Sequence, residues 1–382
     1  MSGKLSERKE MQIRICRKKM EYRFEDILEI RNGKNQKAVE NPEGRYPIYG
    51  SGGVIGYADD YICEADTIII GRKGSINNPI YVSEPFWNVD TAFGLSVKKD
   101  FVLPKYLYYF CKKFDFGKLN KTVTIPSLTK SDLLKIKINV PVKEEQQAII
   151  DKLMKIESIM AFRKIELDYL DVLIKARFVE MFGDPITNPK EWKMVELGKL
   201  TTIGSSKRIF EKEYVSEGIP FYRTKEIVEL SKGNSISTEL FITKERFFEI
   251  KDKYGVPKKG DLLVSAVGTI GVIWIVDGSN DFYFKDGNLI RVDASEKFDS
   301  VYMKNLLENL IDDYKKQMST GTTYNALTIS GLTKLKVYDV PIELQNLFSE
   351  FVNQVYKSKV TVQKALEETQ ILFDSLMQKY FG

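Results

Sequence analysis

The chain has 382 residues, of which 43 % are hydrophobic, enough for two or three domains with their own cores and incompatible with global disorder. Its formal charge is +5 and it contains no histidine, which removes Ser-His-Asp hydrolases, Cys-His proteases, HExxH metalloproteases and histidine-dependent nucleases. Cys16, Cys63 and Cys111 lie far apart, so free thiols in a reducing interior are expected rather than a disulfide framework or a zinc site.

Residues 1–20 hold seven Lys/Arg and two Glu and read as a basic extension that accounts for the whole net charge. The segment has no apolar middle like that of a signal peptide, and nowhere does an apolar run reach the roughly 18 residues of a membrane span. A cytoplasmic location is expected. The first globular part covers 21–142. In it, "YICEADTIIIGRKGSINNPIYV" from Tyr61 and "DTAFGLSV" at 90–97 read as strands, the first stretch carrying a polar glycine turn between two of them. A helix is predicted over 104–115. Residues 101–142 carry eight lysines against two aspartates, a local surplus suited to phosphate but unable to identify a base.

After Pro141 the apolar residues Ile149, Leu153, Ile156, Met160, Leu167, Leu170 and Ile174 recur at helical spacing, predicting a long amphipathic helix over 143–182. A linker follows at 183–191. The second globular part, 192–342, repeats the strand, glycine turn, strand pattern in "GDLLVSAVGTIGVIWIV" at 260–276, with "DGNLIRV" at 286–292 as a further strand and a helix over 299–315. A second long helix is expected over 343–382 from Leu347, Phe348, Phe351, Val355, Val362, Leu366, Leu372 and Leu376. At about 35–39 residues, each helix would be roughly 50–58 Å long. Stripes of that length seek one another, and the short link after Phe182 predicts antiparallel packing.

The chain states one unit twice. "TVTIPSLTKSDLLKIKINVP" at 122–141 echoes "GTTYNALTISGLTKLKVYDVP" at 321–341, and Phe182-Gly183 returns as Phe381-Gly382, 199 positions on. Gln146 aligns with Gln345, and Pro141 with Pro341 one residue out of step. Near the starts, "YRFEDILEIRNG" matches "WKMVELGKLTTIG" at an offset near 171. The second globular part is therefore longer by roughly 28 residues while the helical region keeps its length. The expected fold is α+β: two mixed globular domains separated by two long antiparallel helices, related by an internal pseudo-twofold duplication.

These motifs, with "YPIYGSGGVIGYAD" at 46–59, "ARFVEMFGDP" at 176–185 and the final "SLMQKYFG", resemble the DNA-specificity subunit of a type I restriction-modification complex over residues 21–382. The resemblance implies a non-catalytic chain whose two target-recognition domains each read half of a bipartite double-stranded DNA target. It implies that the helices space the domains and attach modification (methyltransferase) subunits, with restriction subunits in the full complex. S-adenosylmethionine, ATP and Mg2+ would then belong to those partners, and this chain would carry no cofactor. Readers at the ends of a rod of about 50 Å could meet major grooves one or more helical turns of ~34–36 Å apart. A non-catalytic protein-interaction scaffold with globular ends stays open on the same helices.

Thr122, Thr124 and Ser127 in the first copy, and Thr322, Thr323, Tyr324 and Asn325 in the second, offer hydrogen bonds to phosphate or a base edge. The stretch reads equally as a turn in which Ser127, Thr129 or Ser131 caps a helix. Lys121, Lys130, Lys135 and Lys137 suit phosphate, since a flexible ammonium neutralises charge without matching a planar pattern. Arg72 and Lys73 occupy a glycine-bounded turn from which Arg72 can reach guanine with two bonds; a solvated hairpin tip fits them as well. The corresponding "SAVGTIG" has no cation, so Arg223 and Lys225 are the candidates there. "NNPIY" at 77–81 evokes a base-gripping methyltransferase site but lacks its second proline, and no GxxxxGK[ST] loop is present. Any pocket for a flipped base should then belong to a partner.

Overall fold

The computed structural model describes residues 20–98, 101–120, 126–318 and 326–382. It divides into two compact units, one of residues up to Ile165 together with Gln363–Gly382, the other Glu166–Val362. Each long helix, α4 (Lys143–Phe182) and α9 (Ile342–Phe381), has 40 residues and contributes one part to each unit. Among the described residues no helix is long and apolar enough to cross a membrane.

In the first unit, β1 (Met20–Arg23) leads through the short α1 (Phe24–Ile27) into β2 (Leu28–Asn32). A tight hairpin follows, β3 (Tyr46–Gly50) and β4 (Gly53–Ala58), then β5 (Thr67–Gly71), β6 (Ile80–Val82), β7 (Trp87–Asn88) and β8 (Ala92–Val97). The main sheet has the order β2-β8-β5-β6 and a smaller one β4-β3-β7. Every residue of β5, "TIIIG", is buried, as an apolar run in a central strand should be. Helix α2 (Pro104–Lys113) starts on a proline, whose missing N–H costs nothing at a first turn. It buries Tyr106, Leu107, Tyr109 and Phe110. After α3 (Lys130–Leu134), β9 (Lys137–Val140) returns to pair antiparallel with β1.

The second unit repeats this order. Strand β10 (Met194–Glu196) pairs antiparallel with β18 (Lys336–Tyr338). Its main sheet runs β11 (Ile203–Gly204), β17 (Leu289–Val292), β14 (Leu262–Ser265), β15 (Ile273–Ile275), and its small one β13 (Phe241–Ile242), β12 (Ile219–Tyr222), β16 (Tyr283–Phe284). The added length is visible as two helices, α5 (Thr224–Ser231) between β12 and β13 and α6 (Lys244–Tyr254) after β13. Helices α7 (Ser300–Met318) and α8 (Ile329–Lys334) correspond to α2 and α3. Both α4 and α9 start and stop 199 residues apart, so the one-residue displacement of Pro141 against Pro341 does not extend to the backbone.

The long helices pack antiparallel within each unit. In the first, Glu157 and Phe373 both meet Lys112, and Arg163 donates to Ala365 O and Thr369 Oγ1. In the second, Lys359 pairs with Asp171 at 2.5 Å, while Phe178 and Phe182 lie against Phe348 at 5.5 and 5.6 Å. Ile149, Leu153, Ile174, Phe348 and Val355 are buried, with Ile156, Met160, Leu170, Phe351 and Leu376 packed on them; Leu167, Val362 and Leu366 are half-buried. Leu347 and Leu372 do not join the stripe: they are 58 % and 51 % exposed. Each precedes a phenylalanine, Phe348 or Phe373, that takes the core position, and one residue rotates a helix by about 100°.

Each globular part is fastened by both helices. Gln146 is wholly buried and accepts from Leu103 N at 2.8 Å while donating to Phe101 O and Pro141 O. Gln345 repeats this with Asp299 N and Val340 O. These bonds tie the start of a long helix to the N-terminus of α2 or α7. The repeated Phe-Gly ending supplies the second fastening: Phe381 packs on Tyr106 at 5.0 Å and Phe182 on Tyr302 at 4.8 Å.

Candidate nucleic-acid interface

In the first unit Arg72, Lys73 and Ser127 come together at one end of the main sheet. Leaving β5, the chain turns through Arg72, Lys73 and Gly74, the last at φ +77°, a conformation that favours glycine. Gly71 cannot carry a side chain: a Cβ there would stand 2.4 Å from Ser75 O and 3.1 Å from Ser51 Cβ. The second contact places the turn of "YGSGG" against the base of this loop. Backbone bonds complete the assembly: Arg72 N donates to Thr91 O, Gly74 N to Pro126 O and Leu128 N to Arg72 O. Lys73 and Ser127 form a bridge. The Arg72 guanidinium lies 5.9 Å from the centre of the Phe93 ring, which restrains the side chain while leaving it exposed.

Beside this loop is an open cleft of about 430 Å³ lined by Gly74, Asn77, Asn78, Gly117, Asn120 and Pro126. Asn77 accepts from Phe116 N and donates to Asp115 Oδ1, so its amide braces a turn before β6. Thr129 caps α3 by accepting from Asp132 N, and Thr328 caps α8 by accepting from Gly331 N. The hydroxyls of the repeated stretch thus divide: Thr129 serves a helix, whereas Ser127 sits beside Lys73. Lys121, Thr122, Thr124, Thr322, Thr323, Tyr324 and Asn325, with Cys16 and the basic extension, lie outside the described residues.

The lysines differ in commitment. Lys130 is exposed. Lys135 is 70 % exposed with Asp132 at 3.8 Å, and Lys137 pairs with Glu21 at 2.7 Å. The counterpart of Lys137, Lys336, pairs with Glu196, a carboxylate at a different position of the partner strand, so both lysines serve the β1-β9 and β10-β18 joints.

Strand register locates the matching loop in the second unit. Ala266 N donates to Asn288 O and Leu327 N to Ala266 O, repeating the bonds of Arg72. Gly268 has φ +77°, like Gly74, and Ile270 N donates to Gly268 O as Ile76 N does to Gly74 O. Arg72-Lys73-Gly74 therefore occupies the same backbone as Ala266-Val267-Gly268. Arg223 lies elsewhere, at the start of α5, where its Nη2 and Nε donate to the Glu226 carboxylate at 2.8 and 3.3 Å. Burial pushes the Glu226 carboxyl up, but hydrogen bonds from Arg223 outweigh it and hold the group below its ordinary value. Lys225 is 62 % exposed, 3.8 Å from the same carboxylate.

Two cations that the sequence reading missed, Lys207 and Arg208, lie on the segment leaving β11, across β17 from the Ala266 loop. Ser205 Oγ donates to Leu289 O and accepts from Gly287 N, joining that segment to the turn before β17. Continuing the pairing of Ile30 with Leu95 and of Ile203 with Val292 equates Lys34 with Lys207. The match of "RNG" with "TIG" sets Lys34 against Ser205, two residues short of this register, so it leads to the segment but not to these positions. Among the described residues no group of three His, Cys, Asp or Glu is placed to hold a metal.

The model of the Type I restriction modification DNA specificity domain matches residues 17–168 and again 189–370. The chain is 28 % identical over 334 residues to a "Putative type I restriction enzyme specificity subunit" of Haemophilus influenzae, covering 85 % of this chain and 84 % of that one. It is 25 % identical over 339 residues to the type I restriction enzyme MjaIX specificity subunit of Methanocaldococcus jannaschii, covering 81 % and 74 %. In fold it is similar to the type I restriction-modification S subunit of M. genitalium, with a TM-score of 0.58 at 18 % identity over 96 % of both chains. A chain from a structure concerned with complex assembly and conformational transition of the type I R-M system gives 0.61 at 16 % identity, covering 95 % and 97 %.

Proposed function

The chain belongs to the type I restriction-modification DNA-specificity family, and from that membership we propose that its two globular domains read the unequal halves of one bipartite double-stranded DNA target. The helices would space the domains and dock modification subunits, two of them by the duplication, with restriction subunits joining the full complex in the cytoplasm. In this reading S-adenosylmethionine, ATP and Mg2+ act on those partners, and this chain directs their chemistry without performing it.

The observation that carries the proposal is the pair of matching loops. The same backbone turn, closed by the same hydrogen bonds, presents Arg72 and Lys73 in one unit, whereas in the other Ala266 is buried and Val267 alone is presented. A shared frame with different tips suits two readers of different sequences: a guanidinium can pair with guanine, whereas an apolar tip can meet a thymine methyl. A scaffold binding one protein at both ends would gain nothing from the divergence.

Mapping methylated sites made by the complete modification complex tests this. The expected result is a single asymmetric motif of two short specified blocks separated by unspecified bases. Methylation without sequence preference, or a motif with one block only, refutes it.

A further inference from the structure

Arg223, the cation first expected to read DNA in the second unit, is committed to a carboxylate that is 1 % exposed, and the loop equivalent to Arg72 has no cation. Arg208 is differently placed. Its Nε donates to Asp286 Oδ2 at 2.8 Å, yet its side chain is 67 % exposed while that of Asp286 is only 17 % exposed. Asp286 lies in the turn before β17, between Lys285, whose N–H donates to Tyr222 O, and Gly287, whose N–H donates to Ser205 Oγ. On the other side, Lys207 N donates to the Tyr283 hydroxyl at 2.6 Å. Both residues of the pair are therefore held by neighbours tied into the sheets.

A surface ion pair of this kind adds little stability, and its carboxylate offsets the charge that would attract phosphate. What it does supply is orientation. A guanidinium held through Nε keeps the edge formed by Nη1 and Nη2, which is the edge that can donate two parallel bonds to O6 and N7 of guanine. The pair stands at the same end of the sheet as Ala266-Val267-Gly268, because β17 lies between β11 and β14 and the Asn288 carbonyl, two residues after Asp286, accepts from Ala266 N. In the first unit, the position equivalent to Arg208 by strand register is Asn35. The two units would thus take their guanine contacts from different loops at the same end of the sheet.

We propose that Arg208, positioned by Asp286, reads a guanine in the half-site of the second domain, and that Asp286 is a positioning residue. This rests on the DNA-reading role proposed above. The test uses the complete modification complex and a pool of double-stranded oligonucleotides randomised across both half-sites and their spacer. The wild-type complex should select two blocks. Arg208→Ala and Arg208→Lys should both relax one guanine in the second block, lowering the preference there about tenfold to a hundredfold, with the first block unchanged. Asp286→Asn should relax the same position less. Lys207→Ala should weaken binding to all sequences evenly.

An unchanged second block in Arg208→Ala overturns the assignment while leaving the DNA-reading role standing. Full retention by Arg208→Lys also overturns it, since a point charge would then suffice. No selected blocks from the wild-type complex would remove the assignment together with the reading on which it rests. Because Arg208 is exposed, its loss should leave folding intact, and Arg208→Lys provides a second variant that keeps the charge.

Discussion

Replacing Gln146 by alanine should loosen the first unit at a defined joint. The side chain is fully buried and makes three bonds to main-chain groups, Leu103 N, Phe101 O and Pro141 O. The Pro141 carbonyl is bonded in a buried setting, whereas Leu103 and Phe101 are nearer the surface and can recruit water. One or two groups left unsatisfied at about 1–3 kcal/mol each give an expected cost of about 2–4 kcal/mol. The loss is local, because Leu103 is the N-cap residue of α2 and its amide is held by this glutamine. Hydrogen exchange followed by mass spectrometry reads it directly: amides of 103–113 and 143–150 should exchange about 30- to 1000-fold faster, while 300–311 should not change. Gln345→Ala should give the mirror result, exposing the start of α7 through Asp299 N. Acceleration below about threefold in the first unit, or equal acceleration in both, would refute the view that this glutamine is a joint and not a filler of space.

Other expectations follow from the two sheet ends and from α5. Arg72→Ala should relax one position of the first half-site, whereas Lys135→Ala should weaken binding evenly and reduce the slope of log affinity against log salt by about one, both measured by titration of labelled duplexes at several salt concentrations. Gly71→Ala should lower affinity for the first half-site alone, because its Cβ would collide with Ser75 O; retained affinity would mean the loop is not held as described. Arg223→Ala should destabilise the second unit by about 2 kcal/mol at neutral pH, short of a fully buried pair because Arg223 is partly exposed. The Glu226 carboxyl is held below its ordinary value, so its contribution is full above the unfolded value of about 4.3 and is lost as pH falls through the lower folded value. Urea denaturation from pH 7 down to pH 3 should therefore bring wild type and Arg223→Ala together at the acid end.

The helical scaffold was legible in the sequence because its spacing survived duplication: Thr129 and Thr328, Gln146 and Gln345, Phe182 and Phe381 all keep the same separation. What Gln146 does was not legible, since Leu103 and Asp299, the amides it and Gln345 hold, lie where the copies follow a different offset. The match of Arg72 with Ala266 was hidden for a related reason: α5 and α6 are inserted before β14, and only strand register restores the correspondence. Leu347 shows the limit of apolar periodicity. Beside Phe348, either residue completes a helical stripe, and only packing against Phe178 and Phe182 decides between them. Arg223 illustrates a different limit, because a cation in a promising stretch was already claimed by a carboxylate three residues ahead.

The distribution of burial explains how such a chain can change what it reads without losing its fold. The joints are made by groups that tolerate little: a buried glutamine, an aromatic ring on a tyrosine, a threonine cap, a glycine packed against the Ser75 carbonyl, and glycines held at positive φ. The tips are made by Arg72, Lys73, Val267 and Arg208, all exposed, where substitutions usually alter stability by less than about 0.5 kcal/mol. Backbone hydrogen bonds hold the loops in place from below, so their position does not depend on which side chains they present. The constraint therefore falls on Gly71, Gly74 and Gly268 and not on the residues beside them. Arg72 and Lys73 can give way to a buried Ala266 and an exposed Val267 on one frame, because the frame is secured by contacts that the tips do not share.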